Sequence, residues 1–239
     1  WVIHAGIGRL INLGWKRVNV MEFIQRNYRP HISARVMTKD LVSVCDHLYE
    51  GEPGDDTTVA AVHIMPRTTT RVMVGPASSP DMDAKQVRDL ILTSGKKVVC
   101  GGTTSKIVAR ELGQKIDVEL KYYDEEVPPT AHIEGIDLVT EGILTLSAAE
   151  KRMKEYLDEY EDNVRKKEIL DLDKKDGATK LVRLLVEECT DVVFMMGQAN
   201  NPAHQNLDAP VSLNIKVRIV QNIATMLEKL GKHAEVEYY

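Results

Sequence analysis

Aromatic residues are scarce in this sequence of 239 residues: two Phe, two Trp and eight Tyr, so aliphatic side chains must fill most of any core. Cysteine is rarer still. Cys45, Cys100 and Cys189 are far apart, odd in number and each set in an apolar segment. That spacing argues against a disulfide framework or a clustered zinc site and reads as buried free thiols. No apolar run approaches the ~20 residues needed to cross a bilayer, and the opening residues lack the charged-then-apolar layout of a signal peptide. The expectation is a cytoplasmic protein without a membrane partner. Charge of one sign is also in short supply, the formal net charge being -5. No basic block could displace counterions from a phosphate backbone, which excludes nucleic acid as a partner.

What is present is ordinary globular composition, 43% hydrophobic and 28% charged, over a length that suits one large domain or one and a half smaller ones. The first 65 residues read helix, helix, strand: Val18–Asn27, then Ser33–Leu48 with Ser33 as N-cap, then Thr57–Met65 after the turn Gly51–Gly54. From Pro66 onward strands and helices alternate, which predicts α/β architecture with a mostly parallel sheet and flanking helices. The boundary is placed at Pro66–Thr70, dividing the chain into residues 1–66 and 67–239. The second part reads as strands Arg71–Val74, Lys97–Cys100, Asp117–Tyr123, Ile136–Thr140, Asp191–Met196 and His233–Tyr239. Its helices are Asp83–Thr93, Ser105–Gly113, a charged one from Ser147 to about Lys167, Ala178–Cys189 and Val211–Gly231. Asp171–Gly177 reads as a polar break and flexible point. The stripe Met153, Tyr156, Leu157, Tyr160, Val164 on the charged helix would serve either packing on its own domain or a partner, including a second copy in a homodimer.

Asp55 and Asp56, in the string Gly54-Asp-Asp-Thr-Thr58, are adjacent carboxylates in a glycine turn that opens an apolar strand. Such a pair suits a hard cation with oxygen ligands, manganese or magnesium, but a solvated turn is the commoner local explanation. A second feature is Gly101, Gly102, Thr103, Thr104 and Ser105 between a strand and a helix. Backbone N–H groups at the positive end of a helix suit an anion, and a plain capped helix start accounts for the same residues. If the sheet is parallel, Glu141 and His204 fall on the same carboxyl edge, where open sheets of this kind bind ligands. For each the bland alternative is a turn residue. Cys100 follows Val98 and Val99 and has no spaced histidine, so a packed thiol is preferred to a nucleophile.

In order along the chain, Val2-Ile-His-Ala-Gly6, Leu13-Gly-Trp15, the helix pair and Gly54-Asp-Asp-Thr-Thr58 resemble the end of the catalytic domain of stage II sporulation protein E-like, PPM-type metal-dependent serine/threonine phosphatases. The strings Lys97–Thr104, Ile133–Gly142 and Asn201–Asn206 resemble the α/β extension of that group. The resemblance implies a partial α+β phosphatase domain in residues 1–66, with Asp55 as a ligand in a two-metal site (Mn or Mg) and Asp56 beside it. It further implies a phosphoprotein substrate. The family's aspartate–glycine turn and earlier aspartates have no counterpart here, Trp1 standing where the glycine would fall. A two-metal site needs several fixed ligands, so the chain alone is expected to be inactive. The alternative is a non-catalytic α/β module that binds a small anionic ligand or a protein partner at its strand-end crevice.

Overall fold

The structure is a computed structural model that describes residues 3–4, 15–29, 32–52, 56–162, 171–199 and 209–239, and of 3–4, 159–162 and 209–214 only the backbone. Two compact units emerge, Trp1–Pro66 and Arg67–Tyr239.

In the first unit, Asn19 accepts a hydrogen bond from Lys16 N at the start of α1 (Arg17–Asn27), and the Ser33 hydroxyl accepts from Val36 N at the start of α2 (Ala34–Leu48). Val20, Met37 and Leu41 are buried between them, with Trp15 and Phe23 meeting edge to face at 5.7 Å. β1 (Ile3–His4) pairs antiparallel with β2 (Thr58–Val59), Ile3 opposite Val59 and His4 opposite Thr58. The strand expected over Thr57–Met65 is thus only two residues long. Val62 and Ile64 are 84% and 91% exposed, and among the described residues no strand pairs with them.

The second unit is built on a mixed sheet of seven strands: β3 (Thr69–Val74), β4 (Lys97–Cys100), β5 (Asp117–Val118), β6 (Ala131–His132), β7 (Leu138–Thr140), β8 (Asp191–Met196) and β9 (His233–Tyr238). The order across it is β5-β6-β7-β4-β3-β8-β9. The run β7-β4-β3-β8-β9 is wholly parallel, and β5 and β6 extend it antiparallel. Side-chain alternation sorts the core into two layers. Met73, Val99, Val193 and Met195 face α3 (Pro80–Ile91) and α4 (Gly102–Leu112). Val72, Val74, Val98, Cys100, Val192 and Phe194 face α5 (Ile143–Asp162), α6 (Gly177–Glu187) and α7 (Ala209–Lys229). Strand order reverses direction between β3 and β8, and with crossovers of one hand a reversal puts the later helices on the opposite face.

Several expected boundaries move, α3 for one starting at Pro80 and not Asp83. The strand predicted over Asp117–Tyr123 stops at Val118 because β6 offers only Ala131 and His132 as partners, leaving Leu120 90% exposed. Helix α5 begins at Ile143, so Ser147 lies inside it and Gly142 provides the cap, its carbonyl accepting from Leu146 N at 2.8 Å. Helix α4 likewise starts three residues before Ser105. In the break before α6, Leu172 and Asp176 are buried. Met153 and Leu157 of α5 pack into their own unit's core; Val164 lies outside the described residues, as does the Tyr160 side chain.

Candidate functional site

The parallel strands end level with one another: Cys100 pairs with Val74 and with Thr140, and Met196 with Val74 and with Tyr238. Glycines leave at this edge from four strands, Gly75 after β3, Gly101 after β4, Gly142 after β7 and Gly197 after β8. At the reversal point the main chain itself fills the crevice. Gly197 N donates to Val74 O at 2.9 Å and Ala199 N to Pro76 O at 3.1 Å. The exposed residues of this edge, Gly102, Thr103 and Glu141, lie one strand pair away, after β4 and β7.

There Gly101 has φ +125°, a conformation that favours glycine, and donates its N–H to Thr140 O at 3.0 Å. It is the N-cap of α4, with no side chain capping the helix and no acidic residue in the first turn. The N–H groups of Gly102 and Thr103 therefore stand at the positive end of the helix without an intrahelical acceptor, and both residues are exposed. Thr104 and Ser105, which the sequence groups with them, are buried. The Thr104 hydroxyl accepts from Gly75 N at 3.2 Å, and the Ser105 hydroxyl donates to Gly101 O at 2.7 Å. Beside Gly101, Gly142 has φ +143° and approaches so closely that a Cβ on it would lie 3.2 Å from Gly101 Cα. Two glycine-capped helices thus begin side by side, α4 on one face of the sheet and α5 on the other. Neither carries an acid in its first turn.

Glu141 is exposed between the two caps. It lies close enough to Lys216 of α7 for their charges to interact; burial pushes the Lys216 ammonium down from its usual range while Glu141 acts the other way. Lys216 is absent from the sequence-based candidates, its only signal being that it alternates with Arg218 among the apolar residues of Ile215–Val220. By contrast α3 closes its own N-terminus with Ser79, Pro80, Asp81 and Asp83, the last accepting from Ala77 N at 2.8 Å. Cys100 is fully buried; burial pushes its thiol up to about 11, with the Thr140 hydroxyl opposing and the Glu141 charge adding, so it stays protonated and packed.

His204 and Asp55 lie outside the described residues. Asp56 is exposed just ahead of β2. Among the described residues no group of three or more His, Cys, Asp or Glu is placed to hold a metal ion, and no helix is long and apolar enough to cross a membrane. No protein-family model, curated protein or solved structure matches the chain.

Proposed function

We propose that this chain is the C-terminal portion of a cytoplasmic, metal-dependent serine/threonine protein phosphatase of the sporulation E type, catalytically incomplete alone. What supports the reading is the pairing of β1 with β2. It lays Ile3 and His4 against Val59 and Thr58, so that residues belonging to or adjoining two segments some fifty residues apart in sequence, both carrying the resemblance, are paired. In such an enzyme Asp55, with Asp56 beside it, would help hold manganese or magnesium, whose role is to activate the water that attacks the phosphoserine phosphorus. One carboxylate pair cannot fix two metal ions, so the remaining ligands must come from sequence beyond this chain. With manganese and a phosphoserine peptide, the chain alone should release no phosphate. Extended upstream by its preceding coding sequence, it should become an Mn-dependent phosphatase that Asp55→Ala inactivates. Turnover by the chain alone that Asp55→Ala removes would overturn the incompleteness; no turnover from the extended protein would overturn the phosphatase reading.

A second reading, favoured by the adjoining glycine caps of α4 and α5, gives the α/β unit a role of its own: a module that takes a small anionic ligand at Gly101–Thr103 with Lys216 nearby. Glu141 sets the selectivity, since its carboxylate disfavours a bare anion unless a ligand hydroxyl bonds to it. Inorganic phosphate and a nucleoside monophosphate should shift the backbone amides of Gly102 and Thr103 in a titration. Lys216→Met should weaken the response about fivefold, the scale of one charge-assisted contact. Shifts elsewhere, or none at millimolar ligand, would leave this edge as two capped helices.

A further inference from the structure

Away from the carboxyl edge, an open groove of about 460 Å³ is lined by Arg71, Asp89, Thr93, Ser94, Glu237 and Tyr239, among others. Its wall is the C-terminal turn of α3, whose carbonyls form the negative end of that helix. The Tyr239 hydroxyl lies 3.0 Å from Asp89 Oδ2 and 3.0 Å from Glu237 Oε2. A phenol has one proton and serves one carboxylate at a time. Glu237 has a second donor, Arg71 Nη1 at 3.1 Å on the same oxygen, and so the shortfall falls on Asp89. Burial, then Glu237 and Asp89, push the Tyr239 phenol well above its usual range, so it remains a neutral hydroxyl that also offers lone pairs. Thr93 adds a hydroxyl that already donates to Thr69 O at 3.1 Å and is left to accept. The groove thus holds more acceptors than donors around Asp89. A second cation besides Arg71 leans the same way: Lys85 Nζ stands 5.7 Å from the centroid of the Tyr239 ring.

We propose that this groove binds an alkylammonium group, presented by a lysine side chain or a free amine, with its N–H donors shared among Asp89, the Tyr239 oxygen and the C-terminal turn of α3. An ammonium carries three donors and no acceptor, the complement of what surrounds Asp89. It is compact enough to sit between carboxylates that flank one phenol. Lys85 is then a competitor from within the chain.

The full chain, labelled with ¹⁵N, is titrated with 1,4-diaminobutane and, separately, with Nα-acetyl-lysine amide, with tetramethylammonium as a cation that has no N–H. Both amines should produce saturable shifts at Leu92, Thr93 and Ser94 that tetramethylammonium does not. Tighter binding of the acetyl-lysine amide would identify a protein side chain as the source, and tighter binding of the diamine a free amine. Asp89→Asn should weaken binding about fivefold or more, as loss of a charge-assisted hydrogen bond does, and Lys85→Ala should strengthen it. Should Asp89→Asn disturb the fold, Glu237→Gln provides the same test from the other carboxylate. Equal shifts with tetramethylammonium, or amine binding that neither carboxylate variant weakens, would overturn the proposal.

Discussion

Replacing Asp176 by alanine is expected to destabilise the α/β unit by about 4 kcal/mol, a loss of a helix cap together with one partner of a buried ion pair. Asp176 is the N-cap of α6: its Oδ1 accepts from Ala178 N and Thr179 N, each at 3.0 Å, and its Oδ2 from the Thr179 hydroxyl at 2.8 Å. The same carboxylate meets the Arg152 guanidinium of α5, which also reaches Asp124 at 2.8 Å. Burial opposes the charge on Asp176, but the bonds from Thr179 and from Arg152 outweigh it and hold the carboxyl below its usual range. The sign follows. A carboxyl with a depressed folded value contributes stability above its unfolded value near pH 4, and that contribution is lost as pH falls toward the folded value. The wild-type melting temperature should therefore drop through this acid window more steeply than that of Asp176→Ala. At neutral pH the variant should melt roughly 10 °C lower, the shift that such a cost produces in a unit of this size. Both tryptophans, Trp1 and Trp15, belong to the first unit, so the measurement is far-UV circular dichroism or amide exchange in β8. A loss under about 1 kcal/mol, or no coupling with Arg152→Met in a double-mutant cycle, would show that Asp176 acts only as a surface cap.

How much of this was open to a reading of residues depended on whether the signal is local. Strands β3, β4 and β8 are short apolar runs buried on both faces, and such runs stand out between glycines and helix caps. The α/β alternation that follows from them is the architecture the chain adopts. Strand length exceeds what pairing supports where propensity outruns it: Val62, Ile64 and Leu120 look like strand residues, yet a strand needs a neighbour, and among the described residues none pairs with them. The start of α5 is hard to see in the sequence because Ile143–Leu146 resumes the apolar character of β7 after only Glu141 and Gly142, the latter with positive φ. At the site, the turn Gly101–Thr103 was legible from composition, whereas the commitment of Thr104 and Ser105 to internal bonds was not. Their partners, Gly75 N and Gly101 O, are fixed by how the loops pack. Lys216 and the groove were invisible for the same reason. Arg71 and Glu237 are 166 positions apart, and nothing in either neighbourhood announces the other.

Gly197→Ala is expected to be the most damaging of the small substitutions at the carboxyl edge, costing about 3 kcal/mol or more, the upper range for overpacking a fixed interior. The reason is space and not conformation, since φ at Gly197 lies outside the left-handed region. A Cβ there would stand 2.0 Å from Pro76 O and 2.4 Å from Gly75 O, and both are main-chain atoms that no rotamer change can move aside. Relief requires the β3–α3 loop to withdraw from β8, which strains the bonds from Gly197 N to Val74 O and from Ala199 N to Pro76 O. That withdrawal also reaches the candidate anion site, because Gly75 N donates to the Thr104 hydroxyl in the first turn of α4. Gly102→Ala is the matched control: nothing lies within 4 Å of its added Cβ, and the backbone N–H at that position is retained. Chemical denaturation should find Gly102→Ala within about 0.5 kcal/mol of wild type, the usual range for a surface change, and Gly197→Ala far below it. The amide resonances of Thr103 and Thr104 should move in Gly197→Ala even though the substitution is two strands away from α4. A cost under about 1 kcal/mol, with those resonances unmoved, would mean that the β3–α3 loop yields freely and does not brace the helix start where the ligand is proposed to sit.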